Sequence, residues 1–264
     1  MLRSLPFAAL LCGLILSASA QAVDVDPATY GYPLTNPFEA TIATTPPEMR
    51  PLLPSEDDIN QSDYTLKLRP EREFTLPANF WAVKKLTYRI AKQDHAAPLI
   101  FLIAGTGAPY DSSLNEFLKK LFYQAGYHVV QLSSPTSYDF MSAASRFATP
   151  GISQYDAEDL YHVMQAVRAQ QANVPVTEYY LAGYSLGALD AAFVSHLDET
   201  RKSFNFKKVL MLNPPVNLYT SISNLDKLVQ TEVKGINSST TFYELVLNKL
   251  TEYFKQKGYV DLNG

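Results

Sequence analysis

Along the chain the spacing of apolar residues changes repeatedly, and each change predicts an element. Tyr64-Thr-Leu-Lys-Leu68 alternates and predicts an edge strand, with a weaker strand signal from Phe74 to Leu76. Lys84-Lys-Leu-Thr-Tyr-Arg-Ile90 alternates as a half-covered strand does. Leu99-Ile-Phe-Leu-Ile103 is apolar throughout, the pattern of a parallel strand buried on both faces. From Ser113 the period becomes helical, with Leu114, Phe117, Leu118 and Leu121 on one face, a capping box of Ser113 and Glu116, and Gly126 as the stop. Tyr127-His-Val-Val-Gln-Leu132 is the next strand, followed by a polar connection from Ser133 to Gly151. A second helix starts at Ser153, with Asp156 at its third position and Leu160, Val163, Met164 and Val167 at helical spacing. Val176 to Ala182 and Phe206 to Leu212 read as further buried strands, and Ile222 to Val229 and Thr241 to Phe254 as helices. Strand and helix alternating in this way predict an α/β domain, with a mostly parallel sheet and right-handed crossovers that put helices on both faces.

The N-terminal part follows different rules. Arg3 followed by the apolar run Pro6 to Leu16 and the small-x-small sites Ala18-Ser-Ala20 and Ala20-Gln-Ala22 predicts a signal peptide, residues 1–22, cleaved after Ala22. A permanent anchor is the alternative, but the run is short for a membrane span. Cys12, the one cysteine, leaves with the signal, so the mature chain forms no internal disulfide, which fits a bacterial periplasm better than a disulfide-stapled secreted protein; the expected localisation is periplasmic or secreted, in a bacterium. Residues 23–60 carry prolines too densely for helix or central strand and predict an extended arm; the folded domain is expected over residues 61–264. The formal charge is −4 with no long basic run beyond the signal, which argues against a nucleic-acid partner, and no other stretch is apolar enough to cross a membrane.

Candidate chemistry is concentrated at Leu181-Ala-Gly-Tyr-Ser-Leu-Gly187. A β-rich run leads into Gly183-Tyr-Ser185-Leu-Gly187 and an alanine-rich helical stretch follows, so the G-x-S-x-G pattern lies in a strand–turn–helix context. Gly183 and Gly187 are expected because a turn this sharp leaves no room for a β-carbon. Ser185 is thereby expected in a strained conformation, its hydroxyl exposed above a helix N-terminus.

From about Lys84 to Pro215 the chain resembles the α/β-hydrolase superfamily. The resemblance rests on Leu99-Ile-Phe-Leu-Ile-Ala-Gly-Thr-Gly107 as the third strand and its loop, His128 to Leu132 as the fourth, Val176 to Leu186 as the fifth with its serine turn, and Val209-Leu-Met-Leu-Asn-Pro214 as the sixth. It implies Ser185 as nucleophile, with the backbone amides of Leu186 and Thr106 as oxyanion donors and Gly105 and Gly107 supporting the loop. It implies a serine hydrolase forming an acyl-enzyme, for which a carboxylic ester is the expected substrate and a small or lipid-like acyl compound the expected partner. Peptidase, thioesterase and acyltransferase share the same parts. Where the family often has His-Gly in the loop, this chain has Ala104-Gly105.

The departure is in the rest of the triad, whose order in the family is serine, acid, histidine. Only His196 follows Ser185, and eleven helical residues at 1.5 Å each put it roughly 16 Å away along the helix. His95 and His128 fall at the wrong strand ends and His162 lies mid-helix; Asp190 and Asp198 sit within the serine's own helix, and Asp226 is remote from the last strand. Two expectations follow. Either further strands carrying the acid and the histidine belong to the natural protein, residues 220–264 being a helical lid, or the fold is a catalytically inactive binding protein. No cofactor is expected: Gly105-Thr-Gly107 is not a dinucleotide fingerprint, and four scattered histidines suggest no metal site.

Overall fold

Among the described residues six strands form one sheet, in the order β1-β2-β4-β3-β5-β6. They are β1 (Gln61–Leu66), β2 (Leu86–Ala91), β3 (Ala97–Ile103), β4 (His128–Leu132), β5 (Val176–Tyr184) and β6 (Val209–Leu212). The helices are α1 (Ser113–Gln124), α2 (Tyr138–Ala143), α3 (Ser153–Gln170), α4 (Leu186–Arg201), α5 (Leu218–Gln230) and α6 (Ser239–Lys257). The computed structural model describes residues 31–32, 45–68, 85–230 and 239–257. The expected leader, much of the proline-rich arm and the strand signal at Phe74 to Leu76 lie outside the described residues. All the elements belong to the unit Ile42–Gly264; of the unit Met1–Thr41 only residues 31–32 are described.

β3, β4, β5 and β6 run parallel, while β2 is antiparallel to both β1 and β4. This mostly parallel, helix-flanked sheet is the α/β-hydrolase fold. Alternation along β3 divides the core in two. Leu99, Phe101 and Ile103 join Leu160, Val163, Met164 and Val167 of α3 and Ala191 and Val194 of α4 on one face. Ile100 and Leu102 join Leu118 of α1 on the other. Continuous apolarity thus has its expected cause, burial on both sides. Among the described residues no helix is long and apolar enough to cross a membrane.

Several local expectations are corrected. α1 is capped by Ser112, not Ser113, and the Ser112 side chain makes no capping hydrogen bond to the helix. Glu116, expected in a capping box, instead accepts hydrogen bonds from Arg89, Lys119 and Gln131. Phe117 points outward at 41% exposure, whereas Asn115 and Lys119 of the same helix are fully buried. Lys119 is compensated by Glu56 at 2.8 Å and Gln61 at 2.7 Å, residues that precede or begin β1. Burial opposes ionisation of Glu56, yet the hydrogen bonds from Lys119, Lys120 and Gln61 prevail and hold its pKa at about 2. At the start of α3 the N-cap is Ile152, and the buried Asp156 reaches back to accept the Gly151 amide at 2.8 Å. The connection after β4 is not simply irregular: it contains α2.

β6 is the principal difference from expectation. Its sequence is that of a buried strand, yet it lies at the sheet edge with Leu210 43% and Met211 46% exposed. These two side chains point to opposite faces, so both faces of the strand are open. Ser185 donates to the Leu212 carbonyl and Leu181 to that of Lys208, so strand alternation turns the amides and carbonyls of Val209 and Met211 to the side away from β5, where no strand pairs among the described residues. On α5, Tyr219, Ile222 and Leu225 are exposed, as is Leu247 on α6.

Candidate active site

The registers of the central strands assemble one edge of the sheet. Ile103 of β3 lies opposite Gly183 of β5, and Tyr184 opposite Leu212 of β6. The next residues of β3 and β5 therefore emerge side by side, Ala104-Gly105 next to Tyr184-Ser185. Ser185 stands between β5 and α4 with φ 52° and ψ −124°, and it is exposed. A non-glycine residue with this positive φ carries strain of about 1–3 kcal/mol and persists only where its surroundings hold it. Here the Ser185 amide donates to the Leu212 carbonyl at 2.9 Å, while its own carbonyl accepts from Ala188 at 3.0 Å.

The two flanking glycines are where the turn meets other backbone. A β-carbon on Gly183 would lie 2.1 Å from the carbonyl oxygen of Gly187. One on Gly187 would lie 2.4 Å from the carbonyl oxygens of both Ile103 and Ala104. The first turn of α4 thus rests directly on the end of β3, which brings the Leu186 amide and the loop after β3 together. Gly105 lies under the Tyr184 ring, whose hydroxyl pairs with Ser112 at 3.1 Å.

The loop after β3 makes a tight turn closed by the Ala108 amide donating to Gly105 at 3.0 Å, with Gly107 at φ 70°. Polar groups after β4 hold it. The Gly107 amide donates to the Thr136 hydroxyl at 2.7 Å, Ser134 donates its amide to Ala108, and the Tyr110 amide donates to Ser133, which in turn donates to Asp139. Sequence reasoning missed this scaffold; its signal was the hydroxyl-rich run Ser133-Ser-Pro-Thr-Ser137 directly after a buried strand. The amides of Thr106 and Leu186 have no hydrogen-bond partner among the described residues. An exposed hydroxyl at a helix N-terminus with two unengaged amides nearby is an arrangement able to stabilise negative charge.

All four histidines of the chain are described, and none is near Ser185. His95 precedes β3 at the opposite edge and pairs with Asp94 at 2.7 Å. His128 is buried at the start of β4, where burial lowers its pKa; its Nδ1 accepts the Gln93 amide, which fixes Nε2 as the donor to the Pro175 carbonyl. His162 is exposed on α3, and His196 pairs with Glu199 at 3.2 Å in the third turn of α4. The candidate acids are equally placed elsewhere. Asp198 accepts from Tyr161 and from the amides of Phe204 and Phe206, and Asp226 is exposed on α5. Among the described residues no group of three His, Cys, Asp or Glu side chains is arranged to hold a metal ion.

Asp190 is different: it is 1% exposed, and neither carboxylate oxygen has a partner among the described residues. Burial, reinforced by the charge of Asp156, pushes its carboxyl well above the usual carboxylate range. A carboxyl whose folded pKa is raised contributes full stability below its unfolded value and loses it as pH rises toward the folded value. Asp190→Asn is therefore expected to flatten the pH dependence. Wild-type stability should fall relative to the variant by about 1.4 kcal/mol per pH unit across the interval between the two pKa values. Urea melts of both proteins between pH 4 and pH 8 check this; parallel curves would contradict it.

The sequence matches no protein-family model and no curated protein. Solved structures similar to it include brefeldin A esterase, a bacterial homologue of human hormone sensitive lipase, at 16% identity and a TM-score of 0.46, covering 73% of this chain and 51% of that one. A fungal esterase structure from Rhizomucor miehei matches at 18% identity and a TM-score of 0.43, covering 72% of this chain and 51% of that one. The acylaminoacyl peptidase of Pyrococcus horikoshii matches at 15% identity and a TM-score of 0.44, covering 71% of this chain and 29% of that one. This chain spans about half the length of the two esterases and less of the peptidase. Likenesses at this level carry nothing about activity.

Proposed function

We propose that the chain carries the nucleophile of a serine hydrolase that cleaves carboxylic esters. Ser185 attacks the ester carbonyl, its hydroxyl proton passing to a base as the O–C bond forms. The ester C–O bond then breaks, the leaving alkoxide taking that proton from the base to depart as the alcohol, and water hydrolyses the acyl-enzyme to the acid and free Ser185. The amides of Leu186 and Thr106 receive the oxyanion. The supporting observation is Ser185 itself: exposed, held at positive φ between β5 and α4, with the amides of Leu186 and Thr106 unengaged among the described residues. In this proposal the base and acid come from polypeptide that pairs along the outer edge of β6, because a parallel strand there ends at the same edge of the sheet as Ser185. The leader over residues 1–22 directs the protein to the periplasm or beyond, and mature material is expected to begin at Val23.

Acylation of the purified protein by p-nitrophenyl esters of short and long acids, compared with thioesters and anilides, tests the substrate class. Ester acylation is expected to be fastest, and Ser185→Ala to remove it. Acylation by anilides alone would favour a peptidase, and preference for thioesters would favour a thioesterase or acyltransferase. A second reading, a binding protein of this fold without covalent chemistry, is favoured by the distant placement of every histidine; failure of all acyl donors to modify Ser185 would establish it over the first.

A further inference from the structure

We infer that Thr136 is a positioning residue for the Ser185 site, acting by engaging the Gly107 amide so that the neighbouring Thr106 amide is the loop donor left for an oxyanion. The inference rests on the serine-hydrolase proposal above. Two successive amides in the loop after β3 could serve a developing negative charge, those of Thr106 and Gly107. They differ in what they already hold. The Gly107 amide donates to Thr136 Oγ1 at 2.7 Å, a short hydrogen bond, whereas the Thr106 amide has no partner among the described residues.

Thr136 is itself held in place. Its hydroxyl pairs with Ser134 Oγ at 2.8 Å, and its amide donates to the same oxygen at 3.2 Å. Ser134 is fully buried and donates its amide to the Ala108 carbonyl at 3.0 Å, so the turn is gripped on both sides of Gly107. Gly107, at φ 70° and exposed, has nothing within 4 Å of the position a β-carbon would take. No side-chain packing around Gly107 holds this peptide; within the turn closed by Ala108 and Gly105, the Thr136 hydroxyl is what engages its N–H. A donor that must meet charge as it develops gains from being set beforehand, because reorientation during the reaction costs part of the stabilisation.

Valine at position 136 keeps the shape and removes the hydroxyl. Because Gly107 is exposed, its released amide can turn to water; the buried Ser134 hydroxyl loses its partner on Thr136 but still accepts the Thr136 amide, so a modest loss of stability is expected. The test compares the full-length wild-type protein with T136V and T136S in two measurements, amide hydrogen exchange at Gly107 and the rate of Ser185 labelling by a fluorophosphonate. Gly107 exchange is expected to be slow in the wild type, fast in T136V and restored to slow in T136S, with all three proteins fully folded at the assay temperature. Labelling is expected to slow by about 10- to 100-fold in T136V and to recover in T136S, an effect that a modest loss of stability in a fully folded protein would not produce. Equal labelling rates in wild type and T136V, or fast Gly107 exchange in the wild type, would overturn the inference alone. No labelling of Ser185 in any of the three proteins would overturn the serine-hydrolase proposal, and this inference with it.

Discussion

Replacing Gly187 by alanine is expected to destabilise the fold by about 3 kcal/mol or more, a large fraction of a typical domain's stability. The added methyl group would sit 2.4 Å from two carbonyl oxygens, those of Ile103 and Ala104. Neither is the flexible end of a side chain. Ile103 is paired with both β4 and β5, so relief requires α4 to lift from the central strand of the sheet. Gly183→Ala is expected to behave similarly, its methyl group meeting the Gly187 carbonyl oxygen at 2.1 Å. Gly107→Ala is the control: nothing lies within 4 Å, so only the positive φ is penalised, at about 1–2 kcal/mol. Urea denaturation of the three variants checks the order. A Gly187→Ala protein as stable as wild type would mean that α4 does not rest on β3 as described.

The second large effect concerns rate. Ester hydrolysis by the 264-residue chain is expected to run about 10⁴- to 10⁶-fold below that of an enzyme with a complete triad. The proposed oxyanion donors do not replace a base: a serine hydroxyl is a weak nucleophile at neutral pH unless a base takes its proton. His95, His162 and His196 are exposed on remote surfaces, and His128 is committed to Gln93 and Pro175 at the far edge of the sheet. Attack then depends on the small fraction of alkoxide. The acylation rate should rise about tenfold per pH unit from pH 6 to pH 9, without the plateau that an imidazole of pKa near 6.5 would impose. Alanine at positions 95, 162 and 196 should leave that profile unchanged. A plateau near pH 7, abolished by one of those substitutions, would identify a base and contradict this expectation.

Local patterns made the fold largely legible. Leu99 to Ile103 could be read as doubly covered because its apolar positions fall on both faces, and both are in fact packed. The Ser185 turn could be read because its requirements are local: a strand, two residues without β-carbons and a helix. Long-range pairing was not legible. Lys119 is buried on an otherwise amphipathic helix because Glu56 and Gln61 approach from a different part of the chain, and no periodicity reports such a partner. Likewise Val209 to Leu212 reads as a buried strand because the pattern records which faces can be covered, whereas coverage depends on neighbours; here Leu210 and Met211 are open on opposite faces. The grip of Ser134 and Thr136 on the loop after β3 was invisible for a third reason: hydroxyl-rich runs serve equally as solvated turns, and only the fold places these beside Gly107.

Whether Ser185 is a nucleophile is decided most directly by the mass of the intact protein after prolonged incubation with an alkyl fluorophosphonate. Even without a base, binding and an oxyanion site retain a rate about 10³- to 10⁴-fold above that of water, so modification should accumulate over hours. The expected result is a single phosphonyl adduct, located by peptide mapping on Ser185 and absent from Ser185→Ala. Ser133, Ser134 and Ser137, buried among their own hydrogen bonds, should remain unmodified. No adduct on the wild-type protein, or an adduct that persists unchanged in Ser185→Ala, would contradict the assignment of Ser185 as the nucleophile.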